Sequence, residues 1–365
     1  MNPRRGAPDW VVALVGLVIS VAIVLPALGR AGFDPSVFLA LGDEKPIQTE
    51  YARQLLGDVI TRPNFGHDGK FFFAQANDPW YLEPEHHASV LDRPIYRGQR
   101  MLYPMIAGGF GLLPPAAVAW SMLLTNLIAL ALGAWLGARL AARWRLSTWL
   151  GLAVPLNIGL IFELDIGGAG VVAYVFCMGA VYALAIQRDW LAALLLAAAA
   201  LTREVMVAFA LGLFVLYWLD ERRLRWRLLI TPLIAMAVWQ AYLQLRLAGI
   251  SGVGGAPRIF SVPFLGMWEA IESWTGDPRR LIMVLVILGI VARFIPLALR
   301  GRSPIAWGAL PFVALTVVLS VEVWREPFDL SRALAPVLTA AAFIFLVPKR
   351  DSVSARTEPP HRKQA

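Results

Sequence analysis

The 365 residues are 58% hydrophobic and only 16% charged, with a mean hydropathy of +0.62, an apolar share beyond that of a soluble globular domain and one that points to a bilayer. The net charge of +8 does not point to nucleic acid, because the arginines fall in short clusters between apolar runs, as in cytoplasmic loops that face anionic lipid. The one cysteine, Cys177, lies in an apolar run, which excludes an intrachain disulfide framework and a cysteine metal site.

The first apolar run, Trp10 to Leu28, is about 19 residues, close to the roughly 20 that a spanning helix needs. It follows Arg4 and Arg5 and has no small-x-small cleavage site after it, so a retained first span is expected, not a signal peptide. With those arginines cytoplasmic, the segment 29–101 is delivered outside, and no part of it is apolar enough to cross back. Roughly 70 residues far exceed the about 15 beyond which a structureless loop becomes unusual, and the aromatic and apolar content predicts order. Leu102 to Leu113 then gives about 12 residues, roughly 18 Å of helix, too short for a hydrocarbon core of about 30 Å; an interfacial or re-entrant segment is expected. Pro114 and Pro115 open a true span that ends at Arg139, Arg143 and Arg145, and a hairpin follows, turning outside at "FELDIGG" (Phe162 to Gly168) and returning to Arg188.

From Trp190 to Leu219 the apolar stretch is interrupted by "LTRE", and two topologies are open. One long helix would place "ERRLRWR" (Glu221 to Arg227) outside, whereas two short arms meeting near Thr202, Arg203 and Glu204 keep that cluster inside, in line with the other arginine clusters. Two arms are therefore expected. A span to about Gln244 leads to an outer loop whose Gly/Pro-rich start and Trp/Phe/Ile face predict an interfacial amphipathic helix. Three more spans follow, with Arg300 and Arg302 inside and "VEVWREPFDLSR" outside. The expected fold is all-α: a polytopic integral membrane protein of about ten transmembrane helices with a long first extracytoplasmic loop. A single membrane domain over 1–348, a polar, disordered tail over 349–365, and both termini cytoplasmic at the inner or plasma membrane complete the expectation.

Asp68, in "NFGHDGKFFFAQANDPW" from Asn64, precedes a glycine, a strong turn signal, and the aromatic run after it would hold the turn against the membrane surface or the helices. It is either a surface turn or a carboxylate general base at the mouth of a cavity. Asp34 is the rival carboxylate; Asp78, in "NDPW", reads as a turn or helix cap. Arg203 and Glu204 between apolar arms are costly in lipid, which makes them a functional-site hypothesis or an ion pair with each other at a helix break. Arg325 and Arg332, with Glu326 and Asp329, lie in the last outer loop, where a cation can hold a phosphate or a lipid headgroup. In "LDRPIYRGQRMLYP" (Leu91 to Pro104), Arg97 and Arg100 would share a helix face and, with Tyr96 and Tyr103, suit an anionic headgroup or an interfacial belt. The adjacent histidines of "EPEHH" (Glu83 to His87) lack helical-turn spacing, so no metal and no other cofactor is expected, a divalent ion being possible but not indicated.

"GHDGKFFFAQANDP" followed by "LDRPIYRGQRMLYP" resembles a family of bacterial polytopic membrane proteins. Their first outer loop carries a Tyr-Asp-Gly-Gln-Phe-Tyr-Tyr-like turn and then Asp-x-Pro-x-Tyr-Arg-x-Gln-Arg-x-Leu-Tyr-Pro. Members look like GT-C glycosyltransferases, the polyprenyl-phosphate-sugar-dependent class, similar to mannosyltransferases. "LTREVMVAFALGL" fits the same resemblance, which runs from Phe33 to about Arg332. His67, Lys70, Phe72 and Phe73 depart from the pattern, which removes hydroxyls that could contact a sugar; Asp68 is kept. The resemblance implies Asp68 as the base, Arg203, Arg325 and Arg332 as phosphate partners, and transfer of a mannose-like sugar to an extracytoplasmic lipid or glycan acceptor. A transporter or flippase of lipid-linked sugars, or a non-catalytic envelope-assembly subunit, would use the same entrance without a base.

Overall fold

The computed structural model describes residues 6–44, 46–222, 224–254 and 259–345; Arg4, Arg5 and the tail 349–365 lie outside the described residues. The described chain is nearly all-α. After α1 (Asp9–Arg30) come a small parallel pair, β1 (Leu41–Gly42) with β2 (Thr61–Arg62), and the short helices α2 (Ile47–Leu56), α3 (Gly69–Asn77), α4 (Pro84–Val90), α5 (Pro94–Gly98) and α6 (Leu102–Ala107). The apolar part continues with α7 (Pro115–Arg143), α8 (Ile158–Asp165), α9 (Gly170–Ala185), α10 (Asp189–Thr202), α11 (Val207–Glu221), α12 (Arg227–Arg246) and α13 (Leu265–Thr275). It closes with α14 (Pro278–Gly301), α15 (Pro304–Val317), α16 (Val321–Arg325), α17 (Pro327–Ala333) and α18 (Ala335–Phe345). Several helices begin on a proline, at Pro115, Pro278 and Pro304 among others, where the missing N–H costs nothing and the fixed φ is already helical.

Among the described residues four helices, α1, α7, α12 and α14, are long and apolar enough to cross a membrane, and α17 with α18, bent by 70°, would make a fifth. Their outward faces are oily: Leu14 and Val18, Ile128 and Leu132, Ile234 and Val238, and Ile282 and Leu285 are all exposed. Such a surface is unfavourable in water and is satisfied by lipid. The helices α9 (16 residues), α10 and α15 (14 each) are shorter, about 21–24 Å at 1.5 Å per residue. Glycine lets some of them approach closely: Gly212 of α11 sits against the Trp307 carbonyl of α15, with no room for a Cβ.

The bundle has two unlike ends. At one, Arg139 of α7 bonds Asp9 of α1 (2.9 Å) and Tyr182 of α9 (2.8 Å), Arg225 before α12 bonds Asp189 of α10 (2.8 Å) and Glu221 of α11 (2.7 Å), and Arg302 after α14 pairs with Asp220 of α11. At the other end α8 and α10 stop beside the folded segment between α1 and α7, and the Gly69 N–H of that segment bonds the Ile166 carbonyl after α8. That segment is ordered, as its composition predicts. Phe72 packs edge-on to Tyr103 and Phe73 to Tyr51, with centroids 5.3 and 6.3 Å apart, so the aromatic run is a core. The Asp68-Gly69 surface turn is corrected: Gly69 opens a buried helix, pressed against the Ile166 and Leu39 carbonyls. Leu102 to Leu113 is not one continuous helix. Here α6 is buried on α3, and positive φ at Gly109 (57°), Phe110 (59°) and Gly111 (90°) turns the chain before α7. The expected two arms are present as α10 and α11, parted where Arg203 takes up extended backbone (φ −154°, ψ 113°).

His87 of α4 is 4% exposed, lies tilted against Tyr81 with centroids 3.9 Å apart, and has no partner for Nε2 among the described residues. Burial pulls its pKa down to about 4, against the opposing pull of Asp78 and with help from His86. Because the unfolded chain takes the proton first, near pH 6.5, this contribution is whole above that pH and is lost as pH falls towards 4. His87→Phe, which keeps a ring on Tyr81, is expected to flatten the thermal-unfolding profile of detergent-solubilised protein over that window by about 3 kcal/mol. An unchanged slope would assign the acid sensitivity elsewhere.

Candidate functional site

Asp68 precedes α3 in the capping position, yet its carboxylate makes no capping hydrogen bond. It faces arginines. Arg97 Nη1 donates to Oδ1 at 3.0 Å, Arg332 Nη2 donates to Oδ2 at 2.8 Å, and Arg100 Nη1 lies 3.9 Å from Oδ2. Each guanidinium is held by a second acid. Arg97 bonds Asp92 through Nε and Nη2 (2.9 and 3.1 Å) and lies over the Phe71 ring, 3.7 Å from its centroid. Arg100 makes a fork to Glu204 (2.8 and 2.7 Å) and donates to the Tyr96 hydroxyl at 2.6 Å. Arg332 reaches on to Glu163 Oε1 (3.0 Å), which also pairs with Arg203. His67 completes the set, its Nε2 3.5 Å from Asp329 and its Nδ1 3.3 Å from Arg332.

The electrostatics of Asp68 follow from this shell. Burial by itself pushes its carboxyl up, but Arg332, His67, Arg100 and Arg97 together outweigh it and hold the group well below the usual carboxylate range. Asp68 is therefore an ionised, weakly basic carboxylate while its arginines are engaged.

Glu163, which sequence reasoning passed over as part of the "FELDIGG" turn, is the most buried member at 2% exposure. Its Oε2 accepts from the Gly170 N–H at 2.9 Å. Gly168 and Gly170 flank it so closely that a Cβ at either position would collide with the carboxylate. The double glycine thus leaves room for a buried acid between α8 and α9. Asn157, capping α8, donates to Ala335 O and Thr339 Oγ1 of α18 (2.8 Å each), which fixes α8 beside α17 and puts Glu163 against Arg332. An acid in an apolar run just before a glycine pair was the available signal.

Of the residues expected from sequence, Asp68, Arg97, Arg100, Arg203, Glu204 and Arg332 come together at one cavity. Arg203 and Glu204 do not pair with each other as one expectation had it: the extended backbone sends Arg203 to Glu163 and Glu204 to Arg100. Asp34 is elsewhere; its Oδ1 accepts from Ser36 N–H at 2.8 Å and caps a 3-10 turn. Arg325 is exposed at the end of α16 and does not line the cavity. Asp78 caps a turn, accepting from the Leu82 and Glu83 amides (2.8 and 3.1 Å). Among the described residues no group of three or more His, Cys, Asp or Glu is placed to hold a metal ion.

The cavity holds about 770 Å³ and has two natures: Asp68, Arg100, Arg203, Glu204 and Arg332 line one part, while residues such as Met206, Leu233, Met236, Phe260, Phe312 and Leu315 line the rest. A second pocket of about 490 Å³ also has Asp68 in its wall. Among the described residues only Asp68 and Arg97 line both. Compared with protein-family models, curated proteins and solved structures, the chain matches none.

Removing Glu163 leaves two guanidiniums without their buried partner. Glu163→Ala is therefore expected to cost about 3–5 kcal/mol of stability, whereas Asp34→Ala, which removes one cap, costs about 1 kcal/mol. Unfolding of the two variants in the same detergent checks this, and equal losses would show that Glu163 is not the anchor of the cluster.

Proposed function

We propose that the chain is a GT-C type membrane glycosyltransferase that moves a sugar, mannose-like as the first candidate, from a polyprenyl-phosphate carrier to an extracytoplasmic acceptor. The observation that carries this reading is the shared wall: one carboxylate, Asp68, lines both a cavity that is part charged and part apolar and a smaller pocket of mixed polar and apolar lining. A lipid phosphate fits the first cavity, its tail along Leu233, Met236 and Phe312 and its phosphate near Arg100 and Arg203. Arg203 contacts Glu163 through Nη1, which leaves Nε and Nη2 for a ligand.

In the proposed step the acceptor hydroxyl oxygen attacks the anomeric carbon, the carbon–oxygen bond to the phosphate breaks with its electron pair leaving on the phosphate, and the hydroxyl proton passes to Asp68. A phosphate that shares the charge of Arg100 and Arg203 also weakens their hold on the surrounding acids. Asp68 becomes a stronger base when the donor is bound. No cofactor takes part in this step.

The membrane arrangement belongs to the same proposal. Counting 148–165 as one pass, with α1, α7, α9, α10, α11, α12, α14, α15 and the bent α17–α18, gives about ten passes and puts the arginine-paired end in the cytoplasm with the site outside. Cys177 is fully buried, so a wild-type background of thiol labelling is not expected. Single cysteines at Glu85 should react with an impermeant maleimide in intact cells, and those at Arg143 and Arg222 only after permeabilisation; labelling of Arg222 from outside would overturn the two-arm topology.

Asp68→Asn keeps the shape and removes the proton acceptor. With a panel of radiolabelled polyprenyl-phosphate sugars, it is expected to lower transfer about a hundred- to ten-thousand-fold with donor binding close to wild type. Asp34→Asn should turn over normally. The pH profile gives a second check. The acid limb of kcat/KM, which reports the free enzyme, should lie below about pH 4, and that of kcat, which reports the donor complex, should lie higher. Normal turnover by Asp68→Asn would remove the carboxylate from the chemistry.

A further inference from the structure

At the arginine-paired end of the bundle, α10 and α12 start side by side. The Arg227 guanidinium, on the first residue of α12, lies over the Trp190 ring in the first turn of α10, 4.4 Å from its centroid, a cation–π contact that sets the two helix starts level with each other. Arg225, just before α12, is fully engaged: it bonds Asp189 (2.8 Å) and Glu221 (2.7 Å) and covers the Tyr217 ring. Arg188 and Arg227 are different. Both are exposed, and among the described residues neither pairs with a carboxylate.

Helix stability does not account for these two cations. Arg188 is the residue before α10 and Arg227 opens α12, so both stand at the positive end of a helix dipole, where an acid such as Asp189 is favoured and an arginine is not. A bound anion would offset that repulsion.

The surroundings narrow the anion to an amphiphile. Trp190 and Trp226 are exposed beside the arginines, Trp226 tilted against Phe214 with centroids 5.3 Å apart. Tryptophan is the residue type that collects at headgroup depth. Further along the same helices, Leu191 and Leu194 of α10 and Ile230 and Ile234 of α12 are exposed as well, an apolar surface that acyl chains satisfy. A guanidinium fork meets two phosphate oxygens at once. A phospholipid therefore matches both parts of this surface, the phosphate against the arginines and the chains along the two helices, whereas a soluble phosphate matches only the first.

We propose that this surface is a binding site for one anionic phospholipid of the phosphatidylglycerol class, held by Arg188 and Arg227 with its chains on the outer faces of α10 and α12. The proposal rests on the chain's being a membrane protein and is independent of the transferase reading. Because α10 ends at Arg203 and α12 supplies Leu233 and Met236 to the large cavity, a lipid here braces two walls of that cavity from the hydrocarbon side.

The test is native mass spectrometry of purified full-length protein titrated with phosphatidylglycerol and with phosphatidylcholine of the same acyl chains. Wild type should hold phosphatidylglycerol at least about tenfold more tightly, and the double variant Arg188→Gln with Arg227→Gln should fall to the phosphatidylcholine level. Arg188→Gln alone, at an exposed side chain with no bond to lose, should show part of the loss and keeps the test decisive should the double variant fail to fold. Arg143→Gln with Arg145→Gln, exposed arginines at the same end, should leave the affinity unchanged. Equal retention of the two lipids, or no loss in Arg188→Gln, would overturn the proposal. So would an equal loss in the Arg143 and Arg145 variant, which would mark a general basic belt, or displacement of the lipid by glycerol 3-phosphate, which would mark a site for free phosphate.

Discussion

The buried run Asp68–Arg332–Glu163–Arg203 is the interaction on which the rest of this structure depends. Taking a carboxylate or a guanidinium out of water costs several kcal/mol, and Coulomb attraction offsets that only when geometry is good and the remaining lone pairs and protons are also satisfied. Glu163 shows what this requires: two guanidiniums, one backbone amide, and two glycines that make space. A pair of this kind adds little net stability compared with well-packed apolar side chains, so its presence in so oily a chain points to use of the charges and not to their contribution to folding.

The lengths of the helices follow from the same constraint. Helices of 14 residues reach about 21 Å, well short of a hydrocarbon core of about 30 Å. Because α10 and α15 stop early, their ends open a recess, and the polar backbone exposed by the break at Arg203 lines a cavity and not lipid. The folded segment 31–114 closes over that recess. Its aromatic helix α3 packs on Tyr103 and Tyr51 of the same segment and against α7, with Asp68 at its start.

Much of this was legible in sequence, and the limits have physical causes. Long apolar runs and their flanking arginines marked α1, α7, α12 and α14, since hydrophobicity over about 20 residues is a property of composition. "LTRE" interrupted the apolar stretch, and the arginine cluster after α11 decided for a break there, between α10 and α11. What composition cannot carry is pairing. Arg203 and Glu204 are neighbours in the chain, yet the extended backbone at Arg203 turns their side chains to partners about a hundred positions or some forty positions away. Asp34 and Asp68 are equivalent as letters; only the fold makes one a cap and the other the centre of an arginine shell. Glu163 was hidden because a carboxylate before two glycines reads as a turn whether it faces water or is buried.

The balance of charge also limits what the site can accept. The guanidiniums of Arg97, Arg100, Arg203 and Arg332 are already paired with the acids Asp68, Asp92, Glu163, Glu204 and Asp329, so the site is not a simple sink for anions. An anionic ligand has to compete with carboxylates already in place. It can do so through the donors that the acids leave unused, those of Arg203 above all, and by adding contacts for an apolar tail along α12 and α15. A free phosphate has only the first of these. A lipid phosphate has both, and the difference between them is the selectivity that a crowded, charge-balanced site can provide.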